Sequence, residues 1–180
     1  MQLIVIRHGE TEWNLEGRKM GHLDSPLTNR GIAQAKAIAN RLANVPFHAL
    51  YSSDLGRAMQ TARFIATTCN KTIIPHRGLR ERNGGIFQGL TEAEIHKQYL
   101  EEKEKQGKLC VQLIINNSES NKQISERSIK MMTEIANRHS NQTIVIVTHG
   151  GFLRAFFEFV LGITSEQGWR FKRMHASYNQ

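Results

Sequence analysis

Residues 3–9 read Leu3-Ile4-Val5-Ile6-Arg7-His8-Gly9, an apolar run that passes into two polar residues and a glycine. Residues 144–151 follow the same pattern and read Ile144-Val145-Ile146-Val147-Thr148-His149-Gly150-Gly151. Continuous runs rich in β-branched residues are typical of strands buried on both faces of a parallel sheet. The two stretches therefore predict parallel strands, each followed directly by a histidine.

Helical stretches separate these strands and two weaker strand candidates. The weaker strand candidates are Ala49–Tyr51 and Thr72–Ile74, and the predicted helices are Thr28–Ala43, Gly56–Thr68, Thr91–Lys105 and Ser120–Arg138. Alternation of strands and helices favours an α/β fold with right-handed crossovers, so we expect layers of helices around a mostly parallel central sheet. Residues 107–119 fit a strand, a helix extension or a surface loop equally well.

The size and composition of the chain favour one domain over residues 1–180. Of its 180 residues, 39% are hydrophobic and 22% are charged, and no repeat, low-complexity tract or linker divides them. A chain of this length buries roughly 70% of its unfolded surface. We therefore expect a core that needs neither a disulfide nor a structural metal.

Three local features predict a cytoplasmic protein. Cys69 and Cys110 lack the spacing of a redox or metal motif, which favours reduced thiols. Arg7 interrupts the first apolar run too early for a signal peptide. Arg154 and Glu158 lie in the most apolar later stretch, which argues against a membrane span and a membrane partner.

The charge balance predicts an anionic partner. The chain has 24 lysines and arginines against 16 acidic residues, a net charge of +8. The basic residues are mixed with acidic ones, as in residues 101–105, and no motif of a nucleic-acid-binding module accompanies them. These features favour a small anionic substrate over nucleic acid.

The two histidines predict a ligand site at one edge of the sheet. Ligands of open parallel sheets bind beyond the carboxyl ends of the strands, where His8 and His149 are expected. The glycines after them allow a bound group to approach backbone amides. Either histidine alone is more often a surface or hydrogen-bonded structural residue, but the pair beside Arg7 and the glycines indicates function.

Ordered blocks along the chain resemble the histidine phosphatase superfamily, which has the phosphoglycerate-mutase-like fold. The blocks are Arg7–Thr11 with Trp13-Asn14, Pro26–Gly31 with Gln34-Ala35, Ser52–Ala62, Leu79–Arg82 and Thr148–Gly151. The resemblance spans nearly the whole chain in the family's order. It implies a three-layer α/β/α sandwich and phosphoryl-transfer chemistry.

The resemblance assigns the central catalytic roles to His8, Arg7 and Arg57. It implies that His8 attacks phosphorus and carries a phosphohistidine intermediate, which suits a neutral imidazole near pH 7. Arg7 and Arg57 match the family's two phosphate-clamping arginines, and planar guanidinium groups suit bidentate contacts with oxygens.

Further roles follow from the same resemblance. His149 corresponds to the second family histidine, which donates to a phosphoryl oxygen, and Glu81 to the proton donor for the leaving oxygen. Asn14, Gly21 and Gly150 match further phosphate-binding or substrate-binding positions. From the residues alone, Asn14 also fits a turn, and Glu81 fits an ion pair with Arg80 or Arg82.

No metal ion or cofactor is expected. The sequence has no His-Glu-x-x-His motif, no clustered carboxylates and no Walker-type Gly-Lys-Ser/Thr loop. Gly84, Gly85 and Gly89 more readily shape a pocket wall.

The resemblance favours a phosphomonoesterase over a phosphoglycerate mutase. Where related mutases carry a tyrosine and a lysine, this chain has Gly84 and Glu92, and no arginine occurs from Asn83 through Glu126. Residues 118–120, with Arg127, are similar to the Gly-Glu-Ser segment of the shorter phosphatases. A mutase and a non-catalytic binder of phosphorylated ligands remain the alternatives.

The carboxyl end departs from the family pattern. His175-Ala176-Ser177 occupies the place where relatives have Asn-Ala/Cys-Ser before a final strand, and the sequence ends at Gln180. We expect that strand to be short or absent, and an edge left open there would permit a homo-oligomer.

Overall fold

The computed structural model describes residues 1–98 and 118–162. The strands are β1 (Gln2–Arg7), β2 (Ala49–Ser52), β3 (Ile73–Pro75) and β4 (Thr143–Thr148). The helices are α1 (Glu12–Leu15), α2 (Asn29–Leu42), α3 (Gly56–Cys69), α4 (described over residues 92–98), α5 (Asn121–Arg138) and α6 (Gly150–Val160). Two 3-10 turns, Arg77–Leu79 and Gly85–Phe87, lie between β3 and α4.

The four described strands form one parallel sheet in the order β1-β4-β2-β3. β1 and β4, the two strands most clearly predicted, are neighbours and pair along their full length, from Gln2 opposite Thr143 to Arg7 opposite Thr148. Because the two strands are parallel and end in register, the residues that follow them, His8 and His149, leave the sheet side by side.

Alternating side chains of the sheet build two separate hydrophobic cores. Leu50, Val145 and Val147 pack with residues of α2 and α3 on one face. Tyr51 and Ile146, with other residues of the sheet, pack with α5 and α6 on the opposite face. Successive residues of a strand point to opposite faces, so a strand covered on both sides is apolar throughout. The result is the three-layer α/β/α sandwich that the sequence predicts.

The predicted helices begin within one residue of their predicted first residues. The Thr28 hydroxyl accepts from the Gly31 amide at 2.9 Å, so α2 begins at Asn29. Ser120 and Gln123 form a reciprocal capping box at the start of α5. The mainly small residues that α2 and α3 bury, including Ala39 and Ala62, allow close packing of the two helices.

Two helices have no counterpart among the predicted elements. α1 has only four residues, too few for a helical period to appear in the sequence. α6 carries apolar residues on its exposed side as well, including Phe157 and Phe159. The spacing of apolar residues in the sequence therefore does not distinguish its buried face. None of the helices in the described ranges has the length and apolar character needed to cross a membrane.

Several predictions lie outside the described residues. They concern residues 99–105 of the helix predicted over Thr91–Lys105, residues 107–117 of the ambiguous segment, the thiol of Cys110, and the strand near His175-Ala176-Ser177.

Candidate active site

His8 lies directly after β1 and is 1% exposed. Its Nδ1 is 2.8 Å from the carbonyl oxygen of Gly9, and its Nε2 is 3.3 Å from Nε of Arg57. A carbonyl oxygen only accepts hydrogen bonds and a guanidinium only donates them. These two partners therefore assign the proton to Nδ1 and a lone pair to Nε2, which is the form a nucleophilic imidazole requires.

Arg57, in the first turn of α3, is buried beside that lone pair. Its Nη1 donates to the Leu23 carbonyl at 2.7 Å, its Nη2 donates to the Gly21 carbonyl at 2.8 Å, and Asp24 Oδ1 lies 3.2 Å from Nη1. Burial lowers the pKa of the Arg57 guanidinium, and the charges of Asp24 and Glu81 oppose that shift. The guanidinium is thus a fixed cation at the face of His8.

His149 lies directly after β4 and packs against His8. The two ring centroids are 5.1 Å apart, and Nε2 of His149 is 2.7 Å from the Ser53 hydroxyl oxygen, a contact that fixes the ring's orientation. Its Nδ1 is buried without a hydrogen-bond partner among the described residues. Burial, reinforced by the charge of Arg57, holds the pKa of His149 well below its ordinary value. The ring is therefore neutral near pH 7 in the unliganded protein.

Arg7 and Gly150 meet at the same edge of the sheet. A Cβ atom added to Gly150 would lie 3.3 Å from Nε of Arg7 and 3.4 Å from its Cζ, so the guanidinium packs against the bare Cα of the first residue of α6. A side chain at position 150 would press on the arginine. The glycine therefore keeps Arg7 close to the N-terminus of α6.

Glu81 reaches the N-terminus of α6 from the chain that follows the first 3-10 turn. Its Oε2 accepts from the Gly151 amide at 3.0 Å, and its Oε1 accepts from the Arg82 amide at 2.7 Å. The neighbouring guanidinium of Arg80 instead makes a bidentate ion pair with Asp54 at 2.7 and 2.6 Å. Glu81 is held at the pocket by backbone donors and by the adjoining helix end.

Arg127 on α5 holds the backbone that carries Glu81. It donates to the carbonyl oxygens of Gly78 and Arg80 at 2.9 Å each and to that of Glu81 at 3.2 Å. Its Nε and Nη2 donate to the two oxygens of Glu119 at 2.7 and 2.8 Å. Burial alone would raise the pKa of the Glu119 carboxyl, but Arg127, together with the Asn83 amide and His22, outweighs this and lowers it.

Asn14 and Gly21 also line the pocket beside His8. The Asn14 carboxamide oxygen accepts from the amide and hydroxyl of Thr11 at 3.1 Å each, which leaves the amide NH₂ as the end that can donate to a ligand. Asn14 thus has both the turn role and the pocket position considered from the sequence. Gly21 has φ +53°, and a side chain there would collide with Gln88.

These groups surround a pocket of about 830 Å³. Of the predicted site residues, six line it: Arg7, His8, Asn14, Gly21, Arg57 and Glu81. His149 and Gly150 are not among its lining residues, and they lie behind His8 and Arg7 instead. Among residues 1–98 and 118–162, no group of three or more histidine, cysteine or acidic residues is placed to hold a metal ion.

Three further residues support the site without having been singled out from the sequence. Asp24 contacts both the backbone amide and the guanidinium of Arg57, Ser53 orients His149, and Gly151 supplies an amide to Glu81. Ser53 and Gly151 belong to the recognised blocks, and the available signal was their position just after a strand for Ser53 and just after His149-Gly150 for Gly151. Asp24 lies in no such block, and nothing in its local sequence indicates its role.

The His8 imidazole beside the fixed Arg57 guanidinium is an arrangement that can attack a phosphoryl group and neutralise its charge. This arrangement indicates a class of protein that acts on phosphate groups. The family model of the histidine phosphatase superfamily, branch 1, matches residues 3–180. The chain belongs to this superfamily, and it is an enzyme of the phosphatase type. The family and the fold predicted from the sequence are thereby confirmed.

Relatives and solved structures agree with this assignment. Phosphoserine phosphatase 1 of Hydrogenobacter thermophilus is 33% identical over 179 residues, covering 99% of this chain and 85% of the relative. Phosphoglycerate mutase-like protein 4 of Arabidopsis thaliana is 38% identical over 160 residues, covering 87% and 70% of the two chains. The structure of Bacillus stearothermophilus YhfR superposes with a TM-score of 0.84 at 30% identity, over 96% of this chain and 86% of that chain.

Proposed function

We propose that this protein hydrolyses the phosphate monoester of a small metabolite in two steps, through a phosphohistidine on His8 and without a metal ion. The observation that carries the proposal is the state of His8. Its Nδ1 faces a carbonyl oxygen and its Nε2 faces a buried arginine, so a lone pair lies on the side where a dianion would be neutralised. Phosphoryl transfer depends mainly on such positioning and charge stabilisation.

In the first step, Nε2 of His8 donates its electron pair to phosphorus, and the bond from phosphorus to the ester oxygen breaks. The leaving oxygen takes the electrons of that bond together with a proton from the Glu81 carboxyl group. Arg7 and Arg57 line the pocket and neutralise the phosphoryl oxygens, and Nδ1 of His149, beside the His8 ring, is the further donor that we assign to them. The products of this step are the free alcohol, the Glu81 carboxylate and phosphohistidine.

In the second step, water replaces the alcohol beside Glu81. The carboxylate accepts a proton from the water as its oxygen bonds to phosphorus, and the phosphorus–nitrogen bond breaks. The electron pair of that bond returns to Nε2 of His8. Inorganic phosphate leaves, and Glu81 is again protonated for the next turnover.

Two features support hydrolysis over transfer to a second acid. The name of the Hydrogenobacter relative is that of a phosphatase. Glu92, at the position that the resemblance gives to the mutases' lysine, is exposed and pairs with Lys19 at 3.0 Å, so this position supplies no cation to a second acid. If the protein were a mutase, it would isomerise 3-phosphoglycerate faster than it hydrolyses it when a bisphosphoglycerate primer is present.

The experiment is hydrolysis of p-nitrophenyl phosphate in the presence of EDTA. We expect turnover by the wild type, its loss in His8→Ala by a factor of at least 10³, and retention in His48→Ala, an exposed histidine outside the pocket. Equal rates in wild type and His8→Ala contradict a nucleophilic role. If the wild type binds phosphate without turnover, the chain is a binding protein rather than an enzyme.

A further inference from the structure

The peptide group between Gly9 and Glu10 connects the side chain of His8 to α2. Its carbonyl oxygen, which belongs to Gly9, lies 2.8 Å from Nδ1 of His8. Its amide, which belongs to Glu10, donates to Oε1 of Gln34 on α2 at 2.9 Å. The carbonyl and the amide of a planar trans peptide point in opposite directions. The peptide therefore lies between the two side chains, with His8 at one end and Gln34 at the other.

Gln34 is buried, but it is not among the residues that line the pocket. Only 7% of this residue is exposed to solvent. It belongs to one of the blocks that resemble the family, yet none of the catalytic roles involves it. An influence of Gln34 on the reaction therefore has to pass through His8 rather than through a contact with the substrate.

Contacts between bare backbone atoms leave this peptide little room to turn. A Cβ atom added to Gly9 would lie 2.5 Å from the Gly31 carbonyl oxygen, and a Cβ atom added to Gly31 would overlap the Glu10 carbonyl oxygen. The Thr28 amide donates to the same Glu10 oxygen at 3.0 Å. The start of α2 thus packs directly on residues 9 and 10, and Gln34, three residues beyond Gly31, accepts from the Glu10 amide.

The Gly9 carbonyl matters most for His8 during the attack on phosphorus. In the unliganded protein, Arg57 Nε lies 3.3 Å from Nε2 of His8, but Nε2 bonds to phosphorus in the reaction. The hydrogen bond from Nδ1 to the Gly9 carbonyl lies on the other side of the ring and persists. The hydrogen bond of one ring nitrogen decides which tautomer a neutral histidine adopts, and hydrogen bonds in series strengthen one another.

We infer that Gln34 is a positioning residue for the nucleophile: by accepting from the Glu10 amide, it holds the Gly9 carbonyl where that carbonyl keeps the His8 proton on Nδ1 and the lone pair on Nε2. Without this acceptor the peptide can tilt, and the tautomer with its proton on Nε2, which has no lone pair there for attack, becomes populated. The inference rests on the proposed function and adds the residue that fixes the state of its nucleophile.

The first measurement is the tautomer of His8 itself. In protein labelled with ¹⁵N-histidine, long-range ¹H–¹⁵N spectra distinguish protonated from unprotonated ring nitrogens, and His8→Ala identifies the His8 signals. At a pH of about 8, where an ordinary imidazole is neutral, the wild type should carry this proton on Nδ1. Gln34→Met keeps the length of the side chain but removes the amide oxygen, so part of the His8 signal should move to the Nε2-protonated form. Gln34→Glu retains an oxygen acceptor and should keep the Nδ1-protonated form.

The second measurement is the rate of attack on two esters that differ in their leaving group. In Gln34→Met, kcat/KM should fall about fivefold, the effect of one neutral hydrogen bond. The loss should be equal for p-nitrophenyl phosphate and ethyl phosphate, because the change concerns the attacking nitrogen and not the proton donor. The inhibition constant of inorganic phosphate should not rise, because Arg7 and Arg57 are unchanged.

Gln60→Met on α3 is the matched control for the loss of a buried amide acceptor. Gln60 also accepts from a backbone amide through Oε1, that of Leu27 at 3.2 Å, and it is not among the residues that line the pocket. We expect this variant to keep the His8 tautomer and kcat/KM of the wild type. Thermal unfolding of each variant shows how far a loss of stability accompanies the change.

The spectra and the rates separate the inference from the function beneath it. A wild type with the His8 proton on Nε2 overturns the inference, and so does an unchanged tautomer in Gln34→Met, even where kcat/KM falls. Equal effects of Gln60→Met, or an equal loss in Gln34→Glu, also overturn it. If no ester is hydrolysed, or if His8→Ala hydrolyses them as fast as the wild type, the proposed function fails, while the spectra still report whether Gln34 controls His8.

Discussion

At His8, two neighbours decide which ring nitrogen can attack phosphorus. The Gly9 carbonyl accepts a hydrogen bond from Nδ1–H, and the Arg57 guanidinium faces Nε2. Arg57 is itself fixed by the carbonyls of Leu23 and Gly21 and by Asp24. The nucleophile therefore keeps its Nδ1 hydrogen bond when it reacts, and only the contact of Arg57 with Nε2 has to give way to phosphorus.

At His149, burial predicts a pH dependence of stability. Its pKa in the folded protein lies well below the value of about 6.5 expected in the unfolded chain. Between these two values the unfolded state binds the extra proton, so His149 contributes a loss of stability as pH falls below about 6.5. The slope from this one proton approaches about 1.4 kcal/mol per pH unit.

The measurement is the free energy of unfolding by urea between pH 5 and 8. His149→Gln removes the titrating group, so its profile should be flatter than that of the wild type. His96→Gln, at an exposed position on α4, should keep the slope of the wild type. A His149→Gln profile as steep as that of the wild type would contradict this assignment.

Sequence patterns identify the residues to which we assign the chemistry better than the residues that orient them. His8, Arg57 and Glu81 could be assigned from the family motifs and meet at one pocket. Asp24 could not, because its role depends on a loop that reaches the start of α3 from a distant part of the sequence. Such contacts depend on tertiary structure, and no local residue pattern encodes them.

At the level of elements, the position of the backbone from Gly78 to Asn83 depends on side-chain hydrogen bonds from α5. Arg127 spans three carbonyl groups of this segment, and the Asn83 amide donates to Glu119 at 3.1 Å. A lysine at position 127 has one ammonium group and cannot reproduce this planar set of bonds. Glu81 should then lose its placement at the N-terminus of α6.

Arg127→Lys should therefore affect esters according to their leaving group. A nitrophenolate leaves without protonation, whereas an alkoxide needs the proton of Glu81. We expect kcat/KM for ethyl phosphate to fall at least about tenfold more than for p-nitrophenyl phosphate. In a Glu81→Gln background, Arg127→Lys should add little further loss, because the two act through one group.

Arg63→Lys on α3 is the control for the charge-conserving change. An equal loss for both esters in Arg127→Lys would indicate a structural effect alone. If Arg127→Lys lowers kcat/KM as much in the Glu81→Gln background as in the wild type, Arg127 does not act through the proton donor.

Strands and helices are predicted correctly where the local residue sequence reflects how the element is buried or capped. β1 and β4 are buried on both faces, so their apolar runs mark them, and α2 and α5 have side-chain caps. The edge strand β3 is three residues long and ends at Pro75, one residue later than predicted. Its position depends on pairing with β2 rather than on its own sequence.

At the scale of the whole molecule, the positive charge favours an anionic substrate. The net charge is +8, and arginines and a lysine line the pocket. Opposite charges attract over roughly 10 Å at 0.1 M salt and less at higher salt. We expect kcat/KM for a dianionic ester to fall about threefold or more as NaCl rises from about 0.02 to 0.3 M.

The control for this salt effect is the free energy of unfolding at the same NaCl concentrations, which shows whether the fold itself responds. A kcat/KM that stays constant or rises with salt would contradict electrostatic attraction of the substrate to the pocket.

The most direct test of the account is to trap the phosphoenzyme. Wild type and His8→Ala are mixed with ³²P-labelled substrate, quenched within milliseconds, and digested to locate the label. Label is expected on the peptide that contains His8, stable in base and lost in acid, and no label is expected in His8→Ala. Label on another residue, or equal labelling of His8→Ala, would contradict this expectation.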